Sequence, residues 1–251
     1  MFTLARIAYA SVLTTIVVAA PLSAAETQVA VAANFTEPAK EIAAAYRKAT
    51  GNTAVLSFGS SGAFYTQMSH GAPFEVFLSA DADRPKKAEQ DGLGVPGSRF
   101  TYAIGRLVLY STTPGLVDDQ GAVLKTGKFT HLSIADPTAA PYGAAAIQTM
   151  QKLKLYDTLT PKIVKGSSIT QAYHFVATGT AEIGFVAQSQ VINVPGGSRW
   201  LVPTTFHKPI DQQAVLLWTG AKNPAAAAFV KFLKGPEAVS IIKRYGYEVS
   251  R

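Results

Sequence analysis

The 251-residue sequence contains no cysteine. A chain without cysteine forms no disulfide framework, offers no thiolate for catalysis or zinc binding, and has no cysteine that could carry a lipid. Its 4 histidines form no His-x-x-x-His pair and adjoin no acidic cluster. The composition therefore excludes thiol chemistry and does not indicate a histidine-based metal site.

Long apolar runs are also scarce, and the longest one lies between Ile7 and Ala20. Arg6 precedes this run and the small residues Ser23, Ala24 and Ala25 close it, which is the order of a secretory signal peptide. The alternative, a membrane anchor, is disfavoured because the run is short and no stop-transfer pattern follows. We expect residues 1–25 to be a signal peptide cleaved near Ala24 or Ala25, and we expect the mature protein free in a bacterial periplasm.

Clusters of like charge are absent as well. The net charge is +7, but the lysines and arginines are scattered and no run of four occurs. Nucleic-acid binding usually requires a basic patch or stripe, so we expect no nucleic-acid partner. A weak attraction for small anions is compatible with this charge.

The sequence does contain short apolar strands that alternate with helical segments. TQVAVAANF, TAVLSF and FEVFLSA are predicted strands, each followed by a predicted helix, and YAIGRLVLYS is predicted to be one long strand. The pattern restarts at LSIAD and ends in two helices separated by Gly235-Pro236. This alternation is typical of α/β proteins with helix-covered sheets.

One segment of the chain is repeated. Gly-Ser-Ser occurs at Gly59 and again at Gly166, and in both cases a glutamate follows 16 residues after the glycine and begins a buried strand, EVFLSA or EIGFVA. The matched spacing predicts two related α/β halves. The chain should therefore have two lobes.

Four predicted helix starts share a chemistry that suits an anion. A helix start carries backbone N–H groups without intrahelical partners and a partial positive charge. The four lie at Asn34, Ser60-Ser61, Tyr142-Gly143 and Ser168-Ile169. Ligands of α/β sheets bind at the carboxyl ends of strands, so two facing lobes would direct all four starts into one cleft. The alternative interpretation is that the serines are ordinary N-caps.

The sequence does not favour catalysis. GSSG is not the Gly-x-Ser-x-Gly elbow, and neither a Walker lysine motif nor a strand-associated Gly-x-Gly-x-x-Gly is present. Asp81 and Asp83 are interpreted as a loop and a helix cap rather than a metal pair. We therefore expect a binding protein and not an enzyme. The less favoured alternative is a serine hydrolase that uses Ser60 or Ser61 with His70.

Several segments together resemble a known family over nearly the whole chain after residue 25. They are VAVAANFTEPAKEIAAAY, SFGSSGAFYTQMSHGAPFEVFLSAD, IADPTAAPYG, KLKLYDTLTPKIV and FLKGPEAVSIIKRYGY. They resemble the periplasmic molybdate-binding proteins of ABC importers. The resemblance implies a two-lobed class II periplasmic binding-protein fold, in which each lobe is a helix-covered mixed sheet and the ligand lies in the interlobe cleft. It implies that residues 26–104 and 206–251 form lobe 1 and that residues 105–205 form lobe 2.

The same resemblance implies a function. The protein would capture molybdate, and tungstate with it, and deliver the anion to the membrane permease of an ABC transporter. It would act as a monomer without a cofactor, and the metal would arrive as an oxyanion with no direct protein ligand. The alternative is a carrier of sulfate, phosphate or chromate, although a phosphate site should include a carboxylate acceptor, and none occurs at the four helix starts.

Position by position, the resemblance implies four ligand contacts. Asn34 would donate from its amide where many family members have serine, and Ser61 would donate from its hydroxyl and backbone N–H. Tyr142 and Ile169 would donate mainly from their backbone N–H groups. Further cleft residues would be Ala33, Ser60, Ser168 and Ala187.

The sequence departs from the family pattern at Ala187. Some family members have a tyrosine here whose hydroxyl contacts the anion. Tyr142 comes from a different loop, and its hydroxyl is a hypothetical replacement for the missing donor.

Overall fold

The computed structural model describes residues 24–249. All of the predicted signal peptide except Ala24 and Ala25 lies outside these residues. Within the described part of the chain, no helix has both the length and the apolar character that crossing a membrane requires.

Residues 24–249 form ten strands and ten α-helices. The strands are β1 (Glu26–Ala32), β2 (Thr53–Gly59), β3 (Val76–Leu78), β4 (Phe100–Gly105), β5 (Leu107–Ser111), β6 (Leu132–Ala135), β7 (Ile163–Gly166), β8 (Ile183–Ala187), β9 (Ser198–Leu201) and β10 (Ile210–Leu216). The helices are α1 (Thr36–Thr50), α2 (Ser61–Ser69), α3 (Asp83–Gln90), α4 (Val123–Thr126), α5 (Pro141–Lys152), α6 (Tyr156–Leu159), α7 (Ile169–Ala177), α8 (Gln188–Val191), α9 (Pro224–Leu233) and α10 (Pro236–Arg244).

The strands form two five-stranded mixed sheets with the same topology. Their orders are β2-β1-β3-β10-β4 and β7-β6-β8-β5-β9. In the first sheet β1 is parallel to β2 and β3, whereas β10 is antiparallel to both of its neighbours. The second sheet repeats this arrangement with β6 at the position of β1 and β5 at that of β10. The predicted two-lobed α/β fold with mixed sheets is confirmed.

The predicted long strand YAIGRLVLYS is wrong, because it is two strands in different sheets. β4 pairs with β10 of the first sheet, and β5 pairs with β8 and β9 of the second. Arg106 is the one residue between them. The segment looks like one continuous strand in the sequence, but its two halves pair with strands of different sheets because the chain crosses from one lobe to the other. The chain returns between β9 and β10.

The repeated glutamates occupy equivalent places in the two lobes. A carboxylate oxygen of Glu75 accepts from the backbone N–H of Gln28, in β1, at 3.2 Å. A carboxylate oxygen of Glu182 accepts from the backbone N–H of His131, immediately before β6, at 2.9 Å. Each glutamate thus bonds near the start of the second strand in its sheet order, β1 or β6. The matched spacing after Gly-Ser-Ser places the two glutamates at equivalent positions.

The hydrophobic cores place the lobes in direct contact. One core cluster lies in the first lobe and includes Ile42, Tyr46 and Phe229. The cluster that fills the second lobe also contains Ala33 and Ala80 from the first lobe. Apolar packing therefore continues across the boundary beside the strand ends, where the candidate site lies.

Two basic side chains lie at the crossovers between the lobes, His207 buried and Arg106 partly buried. His207 lies just before β10, and its Nδ1 contacts the backbone carbonyl oxygen of Lys208 at 2.7 Å. The His207 Nε2 and the Arg106 Nε are buried without a hydrogen-bond partner in the described part of the chain. Burial, and to a smaller extent the positive charge of Arg106, lower the pKa of His207 even though the Lys208 carbonyl opposes the shift.

We predict that His207 makes the protein less stable in mild acid. The unfolded histidine has a pKa of about 6.5 and the folded one a lower value, so acidification protonates the unfolded chain first. The free energy of unfolding should therefore fall as pH drops below about 6.5. Urea unfolding between pH 7 and pH 5 should show a smaller decrease for His207→Gln than for the wild type. His131→Gln, at an exposed position, is the control and should keep the wild-type pH dependence. An unchanged pH dependence in His207→Gln would contradict the assignment.

Candidate functional site

A small cavity lies between the two lobes. Both lobes line it at the carboxyl ends of their parallel strands. The lining residues of the first lobe are Ala32, Ala33, Asn34, Gly59, Ser60, Ser61 and Ala80, and those of the second are Ala140, Pro141, Tyr142 and Ile169. The chain therefore brings together all four residues predicted to be principal ligand contacts.

A larger crevice of about 440 Å³ lies beside this cavity and shares Ala80 and Pro141 with it. Charged side chains of both signs line the crevice, among them Arg84, Lys208 and Asp211. We place the candidate site in the smaller cavity because the helix starts converge there.

Of the four additional residues predicted to lie in the cleft, two line the cavity and two do not. Ala33 and Ser60 line the cavity, whereas Ser168 and Ala187 do not. The Ser168 hydroxyl accepts from the backbone N–H of Gln171 at 3.3 Å, so it is an N-cap of α7. The Ala187 N–H donates to the side-chain oxygen of Gln190 at 2.9 Å and is not available to a ligand.

Serine caps place the lining residues at the first helical positions. The Ser60 hydroxyl caps α2 by accepting from the backbone N–H of Ala63 at 3.4 Å, which leaves Ser61 as the first residue of the helix. Ser168 caps α7 and leaves Ile169 first in the same way. In α5 the first position is Pro141, which has no N–H, so Tyr142 supplies the first donor. One serine of each pair is thus an N-cap, and the residue after it reaches the cavity.

Three backbone N–H groups at these helix starts have no acceptor. Those of Ser61, Tyr142 and Ile169 meet no hydrogen-bonding partner within residues 24–249. The first N–H groups of a helix cannot bond within it, and the helix dipole adds partial positive charge there. One of the three belongs to the first lobe and two to the second. The cavity is therefore surrounded by donors from opposite sides.

The Ser61 side chain adds a fourth donor. Its Oγ accepts from the backbone N–H of Ala80 at 2.9 Å, and Ser61 is only 1% exposed. This contact fixes the position of the oxygen, and no acceptor for the hydroxyl proton exists in the described residues. The proton remains free for a ligand in the cavity.

Asn34 differs from the expectation that its amide faces the ligand. The amide Nδ2 donates to the side-chain oxygen of Gln212 at 2.8 Å and to the hydroxyl of Tyr247 at 2.9 Å. An amide group has two protons, so both are used inside the protein. What Asn34 offers to the cavity is its backbone N–H, in the single 3-10 turn between β1 and α1.

Asn34 belongs to a buried polar cluster that joins the lobes and that we call the Gln212 network. Its members are Asn34, Tyr102, Gln212 and Tyr247 of the first lobe and Tyr142 and Ser189 of the second. The Gln212 amide nitrogen donates to the Tyr142 hydroxyl at 3.2 Å, and the Ser189 hydroxyl donates to the Asn34 carbonyl at 2.8 Å. Both of these hydrogen bonds cross between the lobes.

The Tyr142 hydroxyl is part of this network. A Cβ atom at Gly105 would lie 2.2 Å from the hydroxyl oxygen, so the approach of Tyr142 requires glycine at that position. Neither Gly105 nor Gln212 lines the cavity. The Tyr142 hydroxyl therefore joins the lobes by accepting from Gln212. That it also donates to a bound anion stays a prediction.

The site and its supporting network are uncharged near neutral pH. No lysine, arginine, aspartate or glutamate occurs among the eleven lining residues. Burial raises the pKa of Tyr142 and of Tyr102 well above the ordinary value, and it raises the pKa of Tyr247 to about 12. All three phenols are therefore protonated. A ligand in the cavity would meet neutral donors and helix dipoles only.

Sequence reasoning missed most of the Gln212 network. Gln212 and Gln213 are adjacent and identical in type, yet only Gln212 is fully buried, and no local pattern distinguishes them. The interpretation of Asp81 as a loop residue agrees with the structure, where its carboxylate accepts from the backbone N–H of Arg84 at 3.0 Å. The interpretation of Asp83 as a helix cap is wrong, because Asp83 is the first residue of α3 and Ala82 precedes it as the N-cap. Residues 24–249 contain no group of three or more potential metal ligands.

Comparisons with known proteins agree with this geometry. The profile of the family described as bacterial extracellular solute-binding protein matches residues 27–248. The chain is 62% identical over 229 residues to the molybdate-binding protein ModA of Rhodobacter capsulatus, which spans 91% of this chain and 90% of that protein. It is 58% identical over 227 residues to ModA of Azotobacter vinelandii, with 89% and 90% covered.

Solved structures give the same result. The periplasmic molybdate-binding protein of Azotobacter vinelandii superposes with a TM-score of 0.87 at 44% identity and covers 90% of this chain and 100% of that one. The sulfate-binding protein SubI of Mycobacterium tuberculosis has a TM-score of 0.76 at 12% identity, with 89% and 86% covered. At that identity the second similarity concerns the fold alone.

We predict that Tyr142→Phe destabilises the protein. The variant keeps the ring and the backbone N–H but leaves the buried Gln212 amide without its acceptor, which should lower the free energy of unfolding by about 1–3 kcal/mol. Urea unfolding measures this change. Tyr156→Phe, at a half-buried tyrosine outside the network, is the control and should change stability by less. Equal losses in the two variants would remove the bracing role from the Tyr142 hydroxyl.

Proposed function

Because this chain belongs to the bacterial extracellular solute-binding protein family, we propose that it captures molybdate, and tungstate with it, in the interlobe cavity and delivers the anion to the permease of an ABC transporter. The observation that carries the proposal is the convergence of unpaired N–H groups and the Ser61 hydroxyl, from both lobes, on a cavity without charged side chains. The relatives named as molybdate-binding proteins support it over most of the chain.

The donor-only chemistry suits a fully deprotonated oxyanion. Molybdate is a tetrahedral dianion near neutral pH, and it accepts hydrogen bonds but donates none. Each hydrogen bond to its charge contributes roughly 1.5–3 kcal/mol. An anion that carries a proton would leave that proton without an acceptor, which disfavours it.

Each residue then has a defined part. Ser61 donates from its hydroxyl and its backbone N–H, and Tyr142 and Ile169 donate from their backbone N–H groups. Asn34 donates from its backbone N–H, because its amide is held by Gln212 and Tyr247. The molybdenum atom is reached only through its own oxygen atoms. It is cargo and not a cofactor, and no residue coordinates it.

The two lobes account for capture and release. We assign residues 26–104 and 206–251 to lobe 1 and residues 105–205 to lobe 2. The division of the strands between the two sheets supports this assignment, except that Gly105 is the last residue of β4 in the first sheet. The anion stabilises the closed arrangement because it bonds to both lobes at once. The permease would recognise this closed form. The protein would act as a periplasmic monomer after removal of a signal peptide near Ala24 or Ala25.

The other candidate functions are less well supported. Arg106 does not line the cavity, and its guanidinium pairs with Glu248 at 2.8 Å, so neither a cation nor a carboxylate is present for a protonated phosphate. A serine hydrolase would need a histidine beside Ser61. His70 lies at the opposite end of α2, where its Nδ1 contacts the Thr66 carbonyl at 2.7 Å. The cavity therefore supports binding rather than hydrolysis.

Calorimetric titration tests the proposed ligand. Purified protein lacking residues 1–25 should release or absorb heat with molybdate and tungstate at low concentrations. Sulfate and phosphate should bind far more weakly, because sulfate is smaller and phosphate retains a proton near neutral pH. Binding of sulfate or phosphate alone would overturn the molybdate assignment and would leave the fold unaffected.

Ser61→Ala tests the assigned contact. The variant loses the hydroxyl donor and retains the backbone N–H, so molybdate affinity should fall roughly 10- to 100-fold, the equivalent of one hydrogen bond to a charged group. Ser69→Ala, at the exposed end of the same helix, is the matched control and should bind like the wild type. Native affinity in Ser61→Ala would count against the site.

A further inference from the structure

The two lobes touch through backbone atoms directly beside Ser61. The backbone N–H of Gly62 donates to the carbonyl oxygen of Ala139 at 2.9 Å. Close by, the Arg84 guanidinium donates from Nη2 to the carbonyl oxygen of Thr138 at 2.8 Å. Gly62 and Arg84 belong to the first lobe, and Ala139 and Thr138 belong to the loop before α5 in the second. Both hydrogen bonds therefore exist only when the lobes are closed.

This contact leaves no room for a side chain at Gly62. A Cβ atom there would lie 2.9 Å from the Cα atom of Ala139 and 3.1 Å from its carbonyl oxygen. Gly62 lies inside α2 and is not among the glycines with a positive φ angle, so its own backbone conformation does not require glycine. The requirement comes from the opposite lobe. It explains the second glycine of GSSG, which the binding chemistry leaves without a role.

The position of the contact relates it to the ligand. Gly62 follows Ser61, and Ala139 precedes Tyr142 by three residues. Ser61 and Tyr142 supply donors from opposite sides of the cavity, so the distance of closest approach between Gly62 and Ala139 limits how near those donors come. Backbone atoms are less able to yield than flexible side chains, which makes the limit a rigid one.

We propose that Gly62 is a positioning residue for anion capture: its backbone contact with Ala139 is the stop that sets the closed spacing of the two lobes, and with it the separation of the Ser61 and Tyr142 donors. The inference rests on the proposed function insofar as the captured anion is molybdate. A larger residue at this position would hold the lobes apart and would lengthen the hydrogen bonds to the anion. The ligand-free, open protein would not be affected.

Gly62→Ala tests the stop. Titration calorimetry should show molybdate affinity roughly ten- to a hundredfold lower than in the wild type, the cost of an overpacked contact. Alanine has a higher helix propensity than glycine, so the melting temperature of the ligand-free variant should not fall. The increase in melting temperature on adding molybdate should be smaller than in the wild type. Small-angle X-ray scattering should show a smaller ligand-induced contraction. Ala63→Ser is the matched control, since it adds one atom at the exposed neighbouring position.

A second pair of variants keeps the inference falsifiable if Gly62→Ala fails to fold. Arg84→Gln removes the hydrogen bond to Thr138 without adding bulk and should weaken binding about three- to tenfold. Lys87→Gln is the control, because Lys87 lies on the same helix but pairs with Asp91 of its own lobe at 2.7 Å. It should bind like the wild type.

The outcomes separate this inference from the proposed function. A wild-type protein that binds sulfate or phosphate instead of molybdate would overturn the proposed function, and the same variants would then be compared with that anion. If the wild type binds molybdate and Gly62→Ala has the same affinity and the same ligand-induced contraction, the inferred role of Gly62 is wrong and the proposed function is unaffected. Equal loss in Gly62→Ala and Ala63→Ser would overturn it as well.

Discussion

The first backbone N–H groups of a helix have no partner within that helix, and the site depends on this constraint. In most helices, water or a capping side chain satisfies them. Here Ser61, Tyr142 and Ile169 place three such groups around one buried cavity, where no acceptor of the described protein reaches them. A polar group buried without a partner is costly, and an anion in the cavity would accept these hydrogen bonds and remove that cost. The same constraint thus underlies both the proposed binding and the proposed closure.

The surrounding structure keeps the site neutral and holds it in position. The Gln212 network uses both amide protons of Asn34 and receives the Tyr142 hydroxyl, and its phenols are protonated because burial raises their pKa values. A lysine or arginine in the cavity would also attract singly charged and protonated anions, whereas neutral donors in fixed positions select by size and by the absence of a proton. Gly62 adds the limit on the opposite side of the cavity, where backbone meets backbone.

Much of the fold could be predicted from local patterns. Strand and helix periodicity predicts the α/β class, and the repeated Gly-Ser-Ser and glutamate spacing predicts two related halves, which the two sheet orders confirm. The boundary at Arg106 could not be predicted this way, since YAIGRLVLYS is mostly apolar and strand pairing alone divides it. Among the site residues, the resemblance of the chain to a known family identified Asn34, Ser61, Tyr142 and Ile169, all of which line the cavity.

The sequence by itself determined which residues begin α2, α5 and α7, because capping by serine and proline is a local property that acts over three or four residues. It thereby determined where unpaired N–H groups would exist. Only the tertiary structure decided which side chains those groups would lie beside, that the Asn34 amide would be bound by Gln212 and Tyr247, and that Gly62 would meet Ala139. These pairs are separated by tens to hundreds of residues, and their contacts depend on how two sheets pack rather than on any local preference.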